Sequence, residues 1–152
     1  MRTILLVGFM ALFLFSGQAL AQPLAKHLVD SKPGEAVLLS LGEWFAAHPL
    51  KEGKVRNERV YESSRDTINL LIVKDTAIGR HLHTNVDEIV YVYKGTGEMN
   101  INGKWVAVKA GDLHVCPRGV AHATRAKAGE ELWVVSIFSP PMPAAGDRVT
   151  IE

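Results

Sequence analysis

Apolar and polar positions change rhythm twice along the chain. An uncharged apolar run, Ile4 to Phe15, comes first. An irregular stretch to about Gly53 follows. Beyond it, short segments rich in β-branched and aromatic residues recur between turn signals: Val55–Tyr61, Thr67–Lys74, Ile78–His83, Glu88–Lys94, Glu98–Ile101, Trp105–Val108, Leu113–Cys116, Ala121–Lys127 and Leu132–Phe138. Asn102-Gly103 between the fifth and sixth is a two-residue hairpin signal. Short strands at this regular spacing predict an all-β, antiparallel sandwich or barrel over residues 54–139. In the irregular stretch, residues 22–53, the helical spacing of Leu38, Leu41, Trp44 and Phe45 predicts a short amphipathic helix near residues 36–47, ended by Pro49 and packed on the outside. Pro140-Pro141-Met142-Pro143 cannot continue a central strand, so residues 140–152 are expected to form a loose, extended tail.

The opening run has the three parts of a secretory signal. Arg2 is the basic start, Ile4–Phe15 the apolar centre, and Ala19-Leu20-Ala21 the small-x-small cleavage site. A membrane-spanning helix needs about 18 or more apolar residues, so residues 1–21 are expected to be cut off after Ala21. Gln22 follows the cut, where a lipoprotein would carry Cys. The reading is a periplasmic or secreted protein with no membrane association after cleavage.

Charge then narrows the partners. The 152 residues carry 17 Lys+Arg and 16 Asp+Glu, and the leader holds one of the basic residues, so the exported chain is balanced. A nucleic-acid binder would show a strongly basic face, and this class is excluded. One cysteine permits neither an internal disulfide nor a Cys-based zinc site. Cys116 reads as a small buried hydrophobe rather than a reactive thiol.

The chemistry concentrates in His81-Leu82-His83-Thr84-Asn85-Val86-Asp87-Glu88. On a strand, residues two apart share a face and lie about 6.6 Å apart, so two imidazoles can converge on one cation with bonds of about 2.1 Å. Residues 84–87 make a turn, after which alternation puts Glu88, Val90 and Val92 on one face and Ile89, Tyr91 and Tyr93 on the other. A carboxylate on that apolar-walled interior face is costly unless a cation shared with His81 and His83 compensates it. Downstream, Gly111 and the turn Pro117–Gly119 bracket a short strand, and His122 opens the next.

These two stretches closely resemble the paired motifs of the cupin superfamily, small metal-binding β-barrels. The first family motif, G-x5-H-x-H-x4-E-x6-G, is met by His81, His83, Glu88 and Gly95, with Asp75 in place of the leading glycine. The second, G-x5-P-x-G-x2-H-x3-N, is met by Gly111, Pro117, Gly119 and His122, with Ala126 in place of the asparagine. The resemblance implies a cupin-type, jelly-roll-like barrel in a compact single-domain chain. It also implies one divalent transition metal (Mn, Fe, Co, Ni, Cu or Zn) held by His81, His83, Glu88 and His122, with open positions for water, substrate or dioxygen. Neither departure falls on a ligand.

Other residues qualify the picture. Thr124 shares the face of His122 and, with Val90 and Val92, is expected to line the pocket. His114 has the parity of Cys116; it is either an ordinary structural histidine or a hydrogen-bond donor behind the ligands. His27 and His48 are expected to be exposed, and Arg80, Arg118 and Arg125 to be solvated charges. Two functions remain open: a metal-dependent enzyme of dioxygenase or isomerase type on a small oxygen-containing substrate, or a noncatalytic module binding a small ligand or the metal. A third is a protein-binding role for the Trp44/Phe45 helix and the tail. The family also implies a homodimer.

Overall fold

The computed structural model describes residues 37–50 and 54–152. The leader, its cleavage site and His27 lie outside the described residues. Among the described residues, one helix, α1 (Leu41–Ala47), precedes ten strands: β1 (Val55–Glu62), β2 (Thr67–Lys74), β3 (Ala77–His83), β4 (Asp87–Lys94), β5 (Thr96–Ile101), β6 (Lys104–Lys109), β7 (Leu113–Cys116), β8 (His122–Ala126), β9 (Glu131–Ser139) and β10 (Arg148–Thr150). All pairings are antiparallel. Asn102 and Gly103, both with positive φ, turn the β5–β6 hairpin as expected.

The strands form two five-stranded sheets, β1-β2-β9-β4-β7 and β10-β3-β8-β5-β6, stacked face to face. This corrects the expected barrel: the sheets do not close into one cylinder. The reason lies in the outer strands. β7 has four residues and β10 three, too short to join the sheets by a continuous ladder. The β1 and β10 edges are therefore left unpaired on one side of the sandwich.

Alternation separates two cores. Inward-facing Leu71, Val90, Val92, Met99, Leu132 and Val134 pack between the sheets. On the outer face of the first sheet, Val60, Leu70, Ile72 and Val135 are covered by Trp44 and Phe45 of α1. The Phe45 ring stacks on Tyr93 and Trp133, with centroids 5.4 and 4.8 Å apart. β2 is thus buried on both faces, which is why Thr67–Lys74 reads as a nearly unbroken apolar run. Burying Phe45 alone contributes about 2–3 kcal/mol, and the burial of both aromatics removes them as a partner-binding surface. The helix begins at Leu41, not near residue 36, because Ser40 is extended and its side chain accepts from the Glu43 amide.

The C-terminal segment also departs from expectation. It is tied down, with β10 pairing along β3 so that Arg148 lies opposite His83 and Thr150 opposite His81. Asp147, just before it, is buried.

Candidate metal centre

Three strands bring the four motif residues together. His81 and His83 come from β3, Glu88 from the start of β4 and His122 from the start of β8, where His81 pairs directly opposite His122. A β-bulge between Ile78 and His81 resets the parity of β3, so that Ile78 and both histidines face the interior. The ligand atoms of all four residues lie within 4.8 Å of one another, and all four residues are buried.

Each imidazole is held from behind by a backbone carbonyl. His81 Nδ1 lies 2.8 Å from the Gly79 oxygen, His83 Nδ1 2.9 Å from that of Asp147, and His122 Nδ1 3.0 Å from that of Val120. A carbonyl only accepts, so each Nδ1 must carry the proton and donate it. In the neutral ring the Nε2 lone pair is then free, as a metal ligand requires. Glu88 Oε2 stands 2.9 Å from His122 Nε2 and 3.3 Å from His83 Nε2. These are acceptors facing acceptors. Only a proton or a cation between them makes the contact attractive, and three imidazoles with one carboxylate suit a divalent transition ion. The residues present therefore fit the metal that the motifs imply.

The electrostatics reflect the same crowding. Burial drives His81 down to about 4, with nearby His122 and Arg148 reinforcing it against its bond to Gly79. Burial also opposes charge on His83, but Glu88 and the Asp147 carbonyl outweigh it and raise its pKa. Glu88 is pushed up by burial, yet His122, His83 and Ser136 hold it well below the usual carboxylate range.

A cavity of about 300 Å³ runs from this cluster to the open side of the sandwich. Of the three residues proposed as lining, the structure places Val90 and Thr124 on this cavity and Val92 in the apolar core between the sheets. Sequence reasoning missed the other polar lining residues: Asn57, Asn69, Ser136, Asp147 and Arg148. Ser136 and Asn69, opposite each other on β9 and β2, were recognisable as polar residues at inward positions of apolar strands. Asn69 donates to Asn57 at 3.0 Å, while its own Oδ1 is buried without a partner. A larger groove of about 770 Å³ along β5, β6 and β8 contains none of the four ligands.

The remaining candidates are placed as follows. The His114 ring meets the Cys116 thiol at 3.3 Å and sits 6.4 Å from the His122 ring, centre to centre. Cys116 is buried and its thiol is pushed up to about 12 by burial, with Glu88 adding to the effect. Arg118 pairs with Asp87, Arg125 pairs with Glu98 and lies over Trp105, and His48 is half-buried, stacked on Trp44. Asp75, in place of the motif's leading glycine, has φ +48, and its carboxylate accepts from the Gly129 amide at 2.8 Å. Aspartate tolerates that backbone better than most residues. Ala126 packs against the inner core.

Comparisons agree with this fold. Residues 70–138 match the cupin domain family. An oxalate-binding protein of Thermotoga maritima is 27% identical over 97 residues, covering 64% of this chain and 76% of that protein. A Klebsiella pneumoniae protein with a double-stranded β-helix domain superposes with a TM-score of 0.64 at 22% identity, over 78% of this chain and 99% of its own. A predicted oxalate decarboxylase from Thermotoga maritima gives a TM-score of 0.54 at 22% identity, over 59% of this chain and 83% of its own. With both motif stretches folded around one buried cluster, residues 70–138 of this chain form a cupin domain.

Proposed function

We propose that this is an exported cupin that binds one divalent transition metal through His81, His83, Glu88 and His122 and presents it to a small oxygen-containing ligand. The observation that carries the reading is the cavity: the four ligand residues line a space that reaches the unpaired β1–β10 side and also holds Asn57, Asn69, Thr124, Ser136 and Arg148. A purely structural metal would be sealed in by protein ligands. The metal would supply Lewis acidity or dioxygen activation when bound, and a dioxygenase or isomerase reaction is the use proposed here. The chain's own part is to orient the imidazoles through three carbonyls and to keep Glu88 ionised.

A noncatalytic binding role is the second reading. It is favoured by the relative named for oxalate binding, and by the cavity's lack of a spare acid or base. Among the described residues and apart from the four candidate ligands, its lining offers only Asp147, whose carboxylate is engaged by the turn at residues 84–86, and Arg148. We also propose a homodimer, supported by Tyr91, Leu113 and Val115 on the β4–β7 edge, of which Leu113 is 62% exposed and Val115 56%. Light scattering would read its mass.

The test of the metal assignment is elemental analysis of the exported protein. About one transition metal per chain is expected, and none in the His83→Ala, Glu88→Ala double variant. Full occupancy in that variant would remove the assignment.

A further inference from the structure

Arg65, Arg80 and Arg148 have no carboxylate partner among the described residues, and of these three Arg148 alone lines the cavity. Arg56, Arg59, Arg118 and Arg125 each have a carboxylate partner. Arg148 makes no ion pair among the described residues. Its Nη2 donates to the Gly79 carbonyl at 3.1 Å, which uses one of the five guanidinium N–H donors and leaves the rest unassigned. Because Arg148 pairs opposite His83, it takes the inward parity of that ligand, and it lines the same cavity. It is also exposed, so it stands where solvent meets the cavity, on β10, with Asn57 of β1 lining the other edge.

Charge accounting adds a direction. With a divalent cation on the cluster, the ion and Arg148 outweigh the cavity's two carboxylates, Glu88 and Asp147. A neutral ligand would leave that excess uncompensated. A small anion with an oxygen for the metal and a planar face for the guanidinium would neutralise it, and a carboxylate matches the Arg fork in shape.

We propose that Arg148 is the specificity-determining residue of the cavity, selecting a small carboxylate as the ligand brought to the metal. The assignment rests on the metal-binding reading above and adds the ligand's charge class to it. The residue makes no described hydrogen bond to the four candidate ligands; it shares the Gly79 carbonyl with His81, whose own bond to that oxygen remains when Arg148 is replaced, so its loss is expected to spare metal binding.

The experiment uses the mature protein loaded with Co(II), whose visible absorption reports both loading and ligand binding. Oxalate, inorganic phosphate and imidazole are titrated against wild type, Arg148→Gln and Arg148→Lys. Expected are equal cobalt content in all three, an oxalate Kd raised about tenfold in Arg148→Gln, partial recovery in Arg148→Lys, and unchanged imidazole binding. Equal oxalate affinity in wild type and Arg148→Gln, with cobalt bound, overturns the role of Arg148 and leaves the metal site standing. Tighter binding of phosphate than of oxalate overturns the carboxylate class. Failure of the wild type to bind cobalt overturns the metal reading and this inference with it.

Discussion

Replacing Asp147 by alanine should weaken both the fold and the metal site. The Asp147 carboxylate accepts from Thr84 Oγ1 at 2.6 Å, the Asn85 amide at 2.6 Å, Asn85 Nδ2 at 2.9 Å and the Val86 amide at 3.1 Å. Those donors explain why its pKa lies below the usual range although burial opposes the charged form. Thr84 and Asn85 are exposed and can turn to water, whereas Val86 is 1% exposed and its N–H would be left buried and unpaired. One orphaned backbone donor costs about 1–3 kcal/mol, and the partly covered Asn85 amide adds about 1, so about 2–4 kcal/mol is expected. Urea unfolding of the metal-free protein should show this as a midpoint about 1–2 M lower, at an m-value of about 2 kcal/mol/M. The turn that Asp147 holds joins His83 to Glu88, and the backbone of Asp147 orients His83. Metal affinity measured by competition with a chelator should therefore fall about 10–100-fold. A variant with both the wild-type midpoint and the wild-type affinity would refute the role given to this residue.

Three further outcomes follow from packing. Gly95→Ala should cost about 3 kcal/mol or more in thermal unfolding, because Gly95 has φ +90 and an added Cβ would lie 2.0 Å from the Glu131 carbonyl oxygen. Phe45→Ala should cost about 3–5 kcal/mol in the same assay, since its ring is 1% exposed between α1 and the first sheet; a loss below 1 kcal/mol would mean that the helix does not dock in solution. Cys116 should resist a thiol-specific disulfide reagent in the native protein and react on unfolding, as expected for a buried thiol pushed up to about 12.

Where period and turn chemistry agree, the sequence was enough. Segments matching β1 to β9 could be read because alternation in β4 and unbroken apolar character in β2 each signal one kind of burial. The candidate cluster was legible because His81, His83 and Glu88 lie close together in the chain, although β3 and β4 belong to different sheets, so Glu88 faces the histidines across the sandwich rather than along a shared ladder. The start of α1 has a signal that the apolar spacing alone does not contain: Ser40-Leu41-Gly42-Glu43 has the Ser-x-x-Glu form of a capped N-terminus. β10 was hidden for a different reason. Three exposed residues after a proline-rich stretch leave no period to detect, and their pairing depends on β3, which lies over 60 positions earlier. The bulge at residues 79–80 had one local sign, Gly79 inside a strand pattern, but its effect on parity depends on what β8 places opposite.

The bond between His83 and the Asp147 carbonyl spans 64 residues. Contacts of such separation are slow to form because the intervening loop must close first. During synthesis, the imidazole that helps define the metal site is made long before the peptide group that fixes its orientation. The His83 ring is accordingly expected to take its final orientation only after the far end of the chain has emerged and paired beside β3.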